Sequence, residues 1–183
     1  MAKINKTKYA ILGVLNERPG SGYDVKKFCD SIAYFWNENY SHIYPVLKQM
    51  EGEGLVTKTI EQTEGRPPRN IFSITPEGRQ EFIKWLKLPV EPNILRAELL
   101  LKLLFSNNIP VENMIEKLES KIEEQMRIRD YLDNGEEEIK NMIKNERKLK
   151  AWLSVIKWGK TISDATIGWC QETIKILEED EES

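Results

Sequence analysis

One histidine, His42, and two cysteines, Cys29 and Cys170, are all that this 183-residue chain holds of the side chains that most readily ligate transition metals or act near neutral pH. A zinc site needs three or four such ligands at short spacing, and these cysteines lie far apart with neither metal nor redox spacing around them. No glycine-rich phosphate loop is present, and no nucleophile sits beside an evident base. Carboxylates are plentiful but lie along amphipathic helices, where they read as solvated faces. An enzyme is therefore excluded on inventory, and neither cofactor nor metal is expected. No segment approaches the roughly 18 apolar residues that a membrane span requires. The apolar run YAILGVL at residues 9–15 is followed by Asn16-Glu17-Arg18-Pro19, without a small-residue cleavage site, so a core helix is expected there and not a signal peptide. Two distant cysteines suit a reducing compartment, and the cytoplasm is the expected location.

A strong basic excess is also missing. The net charge is −3. The chain is nevertheless asymmetric: residues 1–85 carry 12 Lys+Arg against 10 Asp+Glu, and residues 86–183 carry 15 against 20. The first half is mildly basic and the second acidic.

What is present is helical patterning broken once by strands. Residues 6–16 form a first helix that buries Tyr9, Ile11, Leu12 and Leu15 and stops at Arg18-Pro19-Gly20. Ser21 is placed as the N-cap of a second helix, with Asp24 at its third position and Tyr23, Val25, Phe28 and Ile32 as its apolar set. The stretch YSHIYPVLKQMEGEGLV gives a third helix whose apolar face is Ile43, Val46, Leu47 and Met50, ended by Gly52 and Gly54. LVTKTIEQ and NIFSIT alternate as strands around the stiff loop TEGRPPR. Thr75-Pro76 opens a fourth helix, reaching Leu86. Helix, helix, helix, hairpin, helix is the order of a winged helix-turn-helix, in which the third helix reads DNA and the hairpin is the wing.

Pro89 and Pro92 mark a linker between residues 1–88 and a second, all-helical domain at residues 93–180. NILRAELLLKLLFSN is apolar nearly all round, so deep enclosure is expected. The segment opened by Pro110 either breaks at Asn134-Gly135 or runs on. The last helix carries two apolar stripes. One is Leu149, Leu153, Ile156, Ile167, Cys170, Ile174 and Leu177, which the rest of the chain can cover. The other is Val155, Trp158, Ile162, Ala165, Trp169 and Ile176, for which a second copy of the chain is the expected partner.

YAILGVL, SGYD, Tyr44-Pro45 inside the third helix, Glu53-Gly54-Leu55 and Gly65-Arg66-Pro67 together resemble the PadR family of bacterial transcriptional regulators. The resemblance covers about half of the chain strongly. The C-terminal half looks like the longer branch of that family, which includes phenolic-acid-responsive repressors. It implies a mainly α protein with an N-terminal winged helix domain and a C-terminal helical dimerisation domain. It also implies a homodimer, an inverted-repeat DNA operator, and release by a small aromatic or drug-like effector.

Helical geometry then nominates the contacts. With Ile43 at 0° and about 100° per residue, Ser41 and Lys48 lie near 150°, Pro45 near 200° and Tyr44 on the flank. Ser41 suits a base edge or phosphate, Tyr44 a thymine methyl, and Lys48 a phosphate or guanine. Asn39 and Tyr40 at the helix start lie beside the phosphates. The wing adds Lys58, Arg66 and Arg69; Lys6 and Ser21 sit at the ends of the first two helices, within reach of the backbone. Each has a plainer reading: Tyr44 as a half-buried core residue, Lys48 as a solvated charge, the wing as an exposed loop. His42 is read as structural or phosphate-contacting. Trp36, Trp85 and Trp152 are candidates to line an effector pocket; Trp158 and Trp169 are read as dimer packing in preference to a pocket.

Overall fold

Four helices and a hairpin build the first half. The computed structural model describes residues 5–62, 65, 67–92 and 96–181. Helix α1 is Lys6–Glu17, α2 Gly22–Ser31 and α3 Tyr40–Gly52. Strands β1, Val56–Glu61, and β2, Arg69–Ile74, pair antiparallel in register from Val56 opposite Ile74 to Glu61 opposite Arg69. Helix α4 is Pro76–Leu86.

The punctuation works by specific bonds. Ser21 accepts from the Asp24 N–H while the Asp24 carboxylate accepts from the Ser21 N–H, a reciprocal capping box that starts α2. Gly54, at φ +72°, ends α3. The Leu55 N–H reaches back to the Met50 carbonyl at 2.9 Å and the Gly54 N–H to Glu51 at 3.1 Å, which is a Schellman closure. Thr75 caps α4 by accepting from Gly78 and also donates its hydroxyl to the Gly54 carbonyl at 2.8 Å, so the end of α3 and the start of α4 are one locked corner. A Cβ at Gly78 would run into the Leu55 carbonyl oxygen, so only glycine lets the corner close. One sheet contact went unread in the sequence. Gly20, between α1 and α2, exchanges backbone hydrogen bonds with Phe72 at 3.0 and 2.8 Å and ties that turn to the wing.

The core beneath these elements holds Ile11, Leu12, Leu15, Val25, Cys29, Ile43, Leu47, Met50 and Phe72. Val46 of the expected stripe is partly buried against it. Tyr23 does not join it. Val25, Cys29 and Ile32 supply the buried face of α2, and Tyr23, about 200° round from Val25, points outward at 59% exposure. Trp85 of α4 stacks on Tyr9 at 4.6 Å with planes 6° apart. The Tyr9 hydroxyl donates to Glu81 at 2.9 Å. Burial, with the Glu81 hydrogen bond adding to it, pushes the phenol up to about 12.

The chain divides into two compact units, Met1–Pro92 and Asn93–Ser183. In the second, α5 is Glu98–Leu104, a 3₁₀ turn is Ser106–Asn108, α6 is Val111–Met142 and α7 is Glu146–Glu181. Helix α6 runs unbroken through Gly135, so two long helices pair as an antiparallel hairpin around Met114, Leu118 and Cys170. Lys160 lies 2.5 Å from both Asp133 and Glu136, and Arg129 joins Asp164 at 3.0 Å, clamping the hairpin beside that glycine. The enclosure expected of NILRAELLLKLLFSN is corrected from Arg96 onward; Asn93, Ile94 and Leu95 lie outside the described residues. No residue of α5 is fully buried in the chain. Leu99 and Leu103, four apart, turn to the hairpin, while Leu101, Leu104 and Phe105 remain exposed, because seven residues of helix have only one face to bury.

Candidate nucleic-acid interface

Helix α3 is held from beneath and open above. Ile43, Leu47 and Met50 are fully buried, and Tyr40, Ser41, Tyr44, Pro45 and Lys48 are exposed, with Tyr44 at 47% and Tyr40 at 42%. The core reading of Tyr44 therefore fails. Asn39 caps the helix with its carbonyl, accepting from the His42 and Ile43 N–H groups at 3.0 and 3.2 Å, and its side chain makes no cap bond. The helix starts at Tyr40, so Pro45 lies in the second turn and denies the Ser41 carbonyl its intrahelical donor.

His42 has a partner. Its Nδ1 is 3.4 Å from an oxygen of Glu38, whose other oxygen accepts from the Thr7 hydroxyl at 2.6 Å. Glu38 is buried, so the residues just before α3 are pinned to the start of α1. This is the structural one of the two readings for His42.

The cations expected to meet DNA are not equally available. Lys48 makes no ion pair among the described residues. Lys58 pairs with Glu51 at 3.4 Å and Lys6 with Glu91 at 3.2 Å. Arg69 folds back to donate to Ser21 Oγ at 3.0 Å and to Asp24 at 3.1 Å. Hydrogen bonds from Ser21, with the Arg69 charge behind them, hold the Asp24 carboxyl below its usual range. Ser21 is thereby removed from the contact set: it is 5% exposed and its hydroxyl is spent on the cap and on Arg69. Arg66 lies outside the described residues.

Residues that the sequence reading passed over complete the face. The Tyr40 and Tyr44 rings are stacked 6.4 Å apart with planes 20° from parallel, and Lys26 Nζ lies 5.8 Å over the Tyr40 ring while pairing with Asp30. The Tyr44 ring rests on Gly22, where an added Cβ would come within 2.8 Å of it. The signal was available: Val25, Cys29 and Ile32 define one face of α2, which puts Tyr23 and Lys26 on its outer side.

The tryptophans separate. Trp36 and Trp85 both pack on the winged-helix core, while Trp152 is half-buried on α7 in the other unit. On α7, Trp158, Ile162, Ala165 and Ile176 are exposed and Val155 is half-buried. Trp169 is corrected: it packs against the Met114, Leu118 and Cys170 cluster of its own chain. Among the described residues no group of three His, Cys, Asp or Glu side chains can hold a metal.

Comparison with known proteins fits this architecture along its length. Residues 11–84 match the Transcriptional regulator PadR-like family, and residues 95–178 match Virulence activator alpha C-term. The chain is 37% identical over 103 residues to the Negative transcriptional regulator PadR of Bacillus subtilis (54% of this chain, 55% of that protein). It is 36% identical over 85 residues to the probable transcriptional regulator Rv1176c of Mycobacterium tuberculosis (46% and 45%). It thus spans about half the length of these relatives. In fold it is similar to Bacillus subtilis PadR in complex with operator DNA, with a TM-score of 0.80, 22% identity and coverage of 94% and 99%. The same protein has been solved in complex with p-coumaric acid, TM-score 0.73, at 22% identity and 93% and 98% coverage. The virulence activator AphA of Vibrio cholerae matches at a TM-score of 0.73, with 25% identity and 94% and 98% coverage. Capping box, Tyr-Pro helix, Glu-Gly-Leu corner and wing, followed by the long helical hairpin, thus come together in one arrangement: a PadR-like transcriptional regulator domain matched over residues 11–84, joined to a Virulence activator alpha C-term domain matched over residues 95–178.

Proposed function

We propose that this protein is a sequence-specific, double-stranded-DNA-binding transcriptional regulator that acts as a homodimer on an inverted repeat, and that it is a repressor. The carrying observation is the outer face of α3: Tyr40, Ser41, Tyr44 and Lys48 exposed above a fully buried Ile43, Leu47 and Met50. A helix so supported and so open is built to enter a major groove. Asn39 and the first N–H groups of α3 suit a phosphate. Lys58 and Arg69 on the wing and Lys6 on α1 meet phosphates by exchanging their present carboxylate partners, and Arg66 is assigned to the same wing contact. Similarity to a PadR whose fold has been seen on operator DNA supports this reading.

Dimerisation is assigned to the outer stripe of α7. Val155, Trp158, Ile162 and Ala165 follow 3–4 spacing and Ile176 lies further along the same stripe, and four of these five lie exposed in the single chain. The effector is read as a small aromatic acid or drug-like molecule, with Trp36 and Trp85 as candidate contacts in the first unit and Trp152 as a separate candidate in the second. Trp36 has the strongest claim. Its buried indole N–H lacks an acceptor among the described residues, which an oxygen of such a molecule would supply. We read the compartment as the cytoplasm, where the DNA lies; among the described residues no helix is long and apolar enough to cross a membrane.

The test is a gel shift with the DNA upstream of the protein's own gene across a salt series. The expected result is a retarded complex whose log affinity falls linearly with log salt. Failure to bind any DNA at low salt favours a protein–protein module built on a winged helix.

A further inference from the structure

Both described cations of the wing, Arg69 and Lys58, already have an anion beside them. Arg69 lies 3.1 Å from Asp24 and Lys58 lies 3.4 Å from Glu51. The Arg69 pair is the more firmly built. Gly20 and Phe72 exchange backbone hydrogen bonds at 3.0 and 2.8 Å, which lays β2 against the start of α2. Asp24 Oδ2 accepts from the Ser21 N–H at 2.8 Å and from the Ser21 hydroxyl at 2.6 Å, so the carboxylate is anchored by its own helix cap. Arg69 donates to that oxygen and to Ser21 Oγ. Glu61 is the cross-strand neighbour of Arg69 in the register, yet among the described residues it makes no ion pair. Lys58 and Glu51 meet across the closed corner at the end of α3, where the Leu55 N–H bonds the Met50 carbonyl.

We infer that Asp24 and Glu51 set specificity: they keep Arg69 and Lys58 neutralised over DNA of arbitrary sequence and release them to phosphates only at the operator. The inference rests on the DNA-binding reading above. Over arbitrary sequence a regulator rides on the ion atmosphere of the duplex, at separations up to a screening length of about 8–10 Å. Attraction between charges falls with distance, so carboxylates at 3.1 and 3.4 Å keep the two cations there. At the operator, α3 seated in the groove holds the wing against the backbone. A phosphate in contact matches the carboxylate as a partner, and pairing it releases its condensed counterions, so the cation transfers. The two carboxylates thus withdraw two charges from the attraction that every duplex shares. They leave both charges in the contact that only the operator makes.

The experiment uses the full chain, an operator duplex that it selects from random DNA, and a scrambled duplex of the same length. Affinity for each is read by fluorescence anisotropy across a salt series. Asp24→Asn keeps an oxygen to accept from Ser21, and circular dichroism checks that each variant is folded. The Glu51 side chain belongs to no cap, so Glu51→Gln carries the test alone where Asp24→Asn unfolds. On the scrambled duplex, the slope of log affinity against log salt is expected to steepen by about 0.9 in each variant and about 1.8 in the double variant. On the operator the slope stays at the wild-type value, because the same phosphates are met, so the preference for operator falls. Glu61→Gln removes the same charge from the same hairpin and moves neither slope, which separates pairing from net charge. A scrambled-duplex slope that does not move, an operator slope that steepens equally, or an equal effect of Glu61→Gln overturns the inference. In each of those cases salt-dependent operator binding keeps the DNA-binding reading intact. A chain that binds no duplex at low salt overturns both.

Discussion

Two glycines, each substituted by alanine, should fail in opposite ways. At Gly78 an added Cβ meets the Leu55 carbonyl oxygen and lies 3.0 Å from Ile74 Cγ1. The first obstacle is backbone, and it belongs to the corner held by the Thr75 bonds to Gly54 and Leu55. It cannot rotate away, so α4 must shift. Overpacking of this kind costs about 1–3 kcal/mol, and an immobile backbone places it at the upper end. The gain in helix propensity, below about 1 kcal/mol in a first turn, leaves a net loss of about 2 kcal/mol. For a unit of this size that lowers Tm by about 8–16 °C. At Gly22 the obstacle is the Tyr44 ring at 2.8 Å, a side chain half exposed and able to swing. Gly22→Ala should therefore leave Tm within a few degrees and lower affinity for DNA. Thermal melts followed by circular dichroism and one binding titration compare the two. A Gly78→Ala protein as stable as the parent would refute the locked corner. A Gly22→Ala protein with unchanged DNA affinity would refute the seating of Tyr44.

Three further outcomes follow from the same structure. The Tyr9 phenol is raised from 10.0 to about 12, so its contribution is full below pH 10 and is lost as pH rises towards about 12. Alkaline unfolding in that window should lose this component in Tyr9→Phe, and identical alkaline titrations would count against the Tyr9–Glu81 bond. In the hairpin, Asp133 is held down to about 2 by Arg129 and then Lys160, and Glu136 to about 2 by Lys140 and then Lys160. Their contribution is present above the ordinary carboxylate range and is lost as pH falls to about 2, so Lys160→Met should move acid unfolding to higher pH; an unmoved midpoint in helical ellipticity speaks against the clamp. The proposed homodimer should appear in sedimentation of the wild-type chain and be converted to a monomer by Ile162→Glu; a monomeric wild type would remove the dimer, and an unchanged mass in the variant would remove the outer stripe of α7 from the interface.

The local signals carried far in this chain. Ser21, Thr75 and Gly54 each announce a helix boundary through bonds made within a few residues, and those bonds form as expected. The third helix was readable because burial of Ile43, Leu47 and Met50 leaves an obvious opposite face. What escaped depends on distant or absent partners. Arg69 reaches Ser21 and Asp24 across more than 40 residues of sequence, so its neutralisation and the withdrawal of Ser21 were invisible. Tyr23 was misplaced by being counted as apolar without following the helical angle. The leucines of α5 looked enclosed because composition says only that apolar surface seeks cover, not that one chain supplies it. Gly135 was ambiguous because helix propensity weighs a single glycine, whereas the ion pairs across the hairpin decide it.

The central claim is that the outer face of α3 holds DNA. Titration of a duplex selected from random DNA by the full chain, with the wild-type chain and with a Tyr44→Ala, Lys48→Ala double variant, at one salt concentration and with masses matched by sedimentation, addresses it directly. Loss of at least tenfold in affinity by a folded variant of unchanged mass is the expected result. Equal affinity of the two proteins would contradict the account.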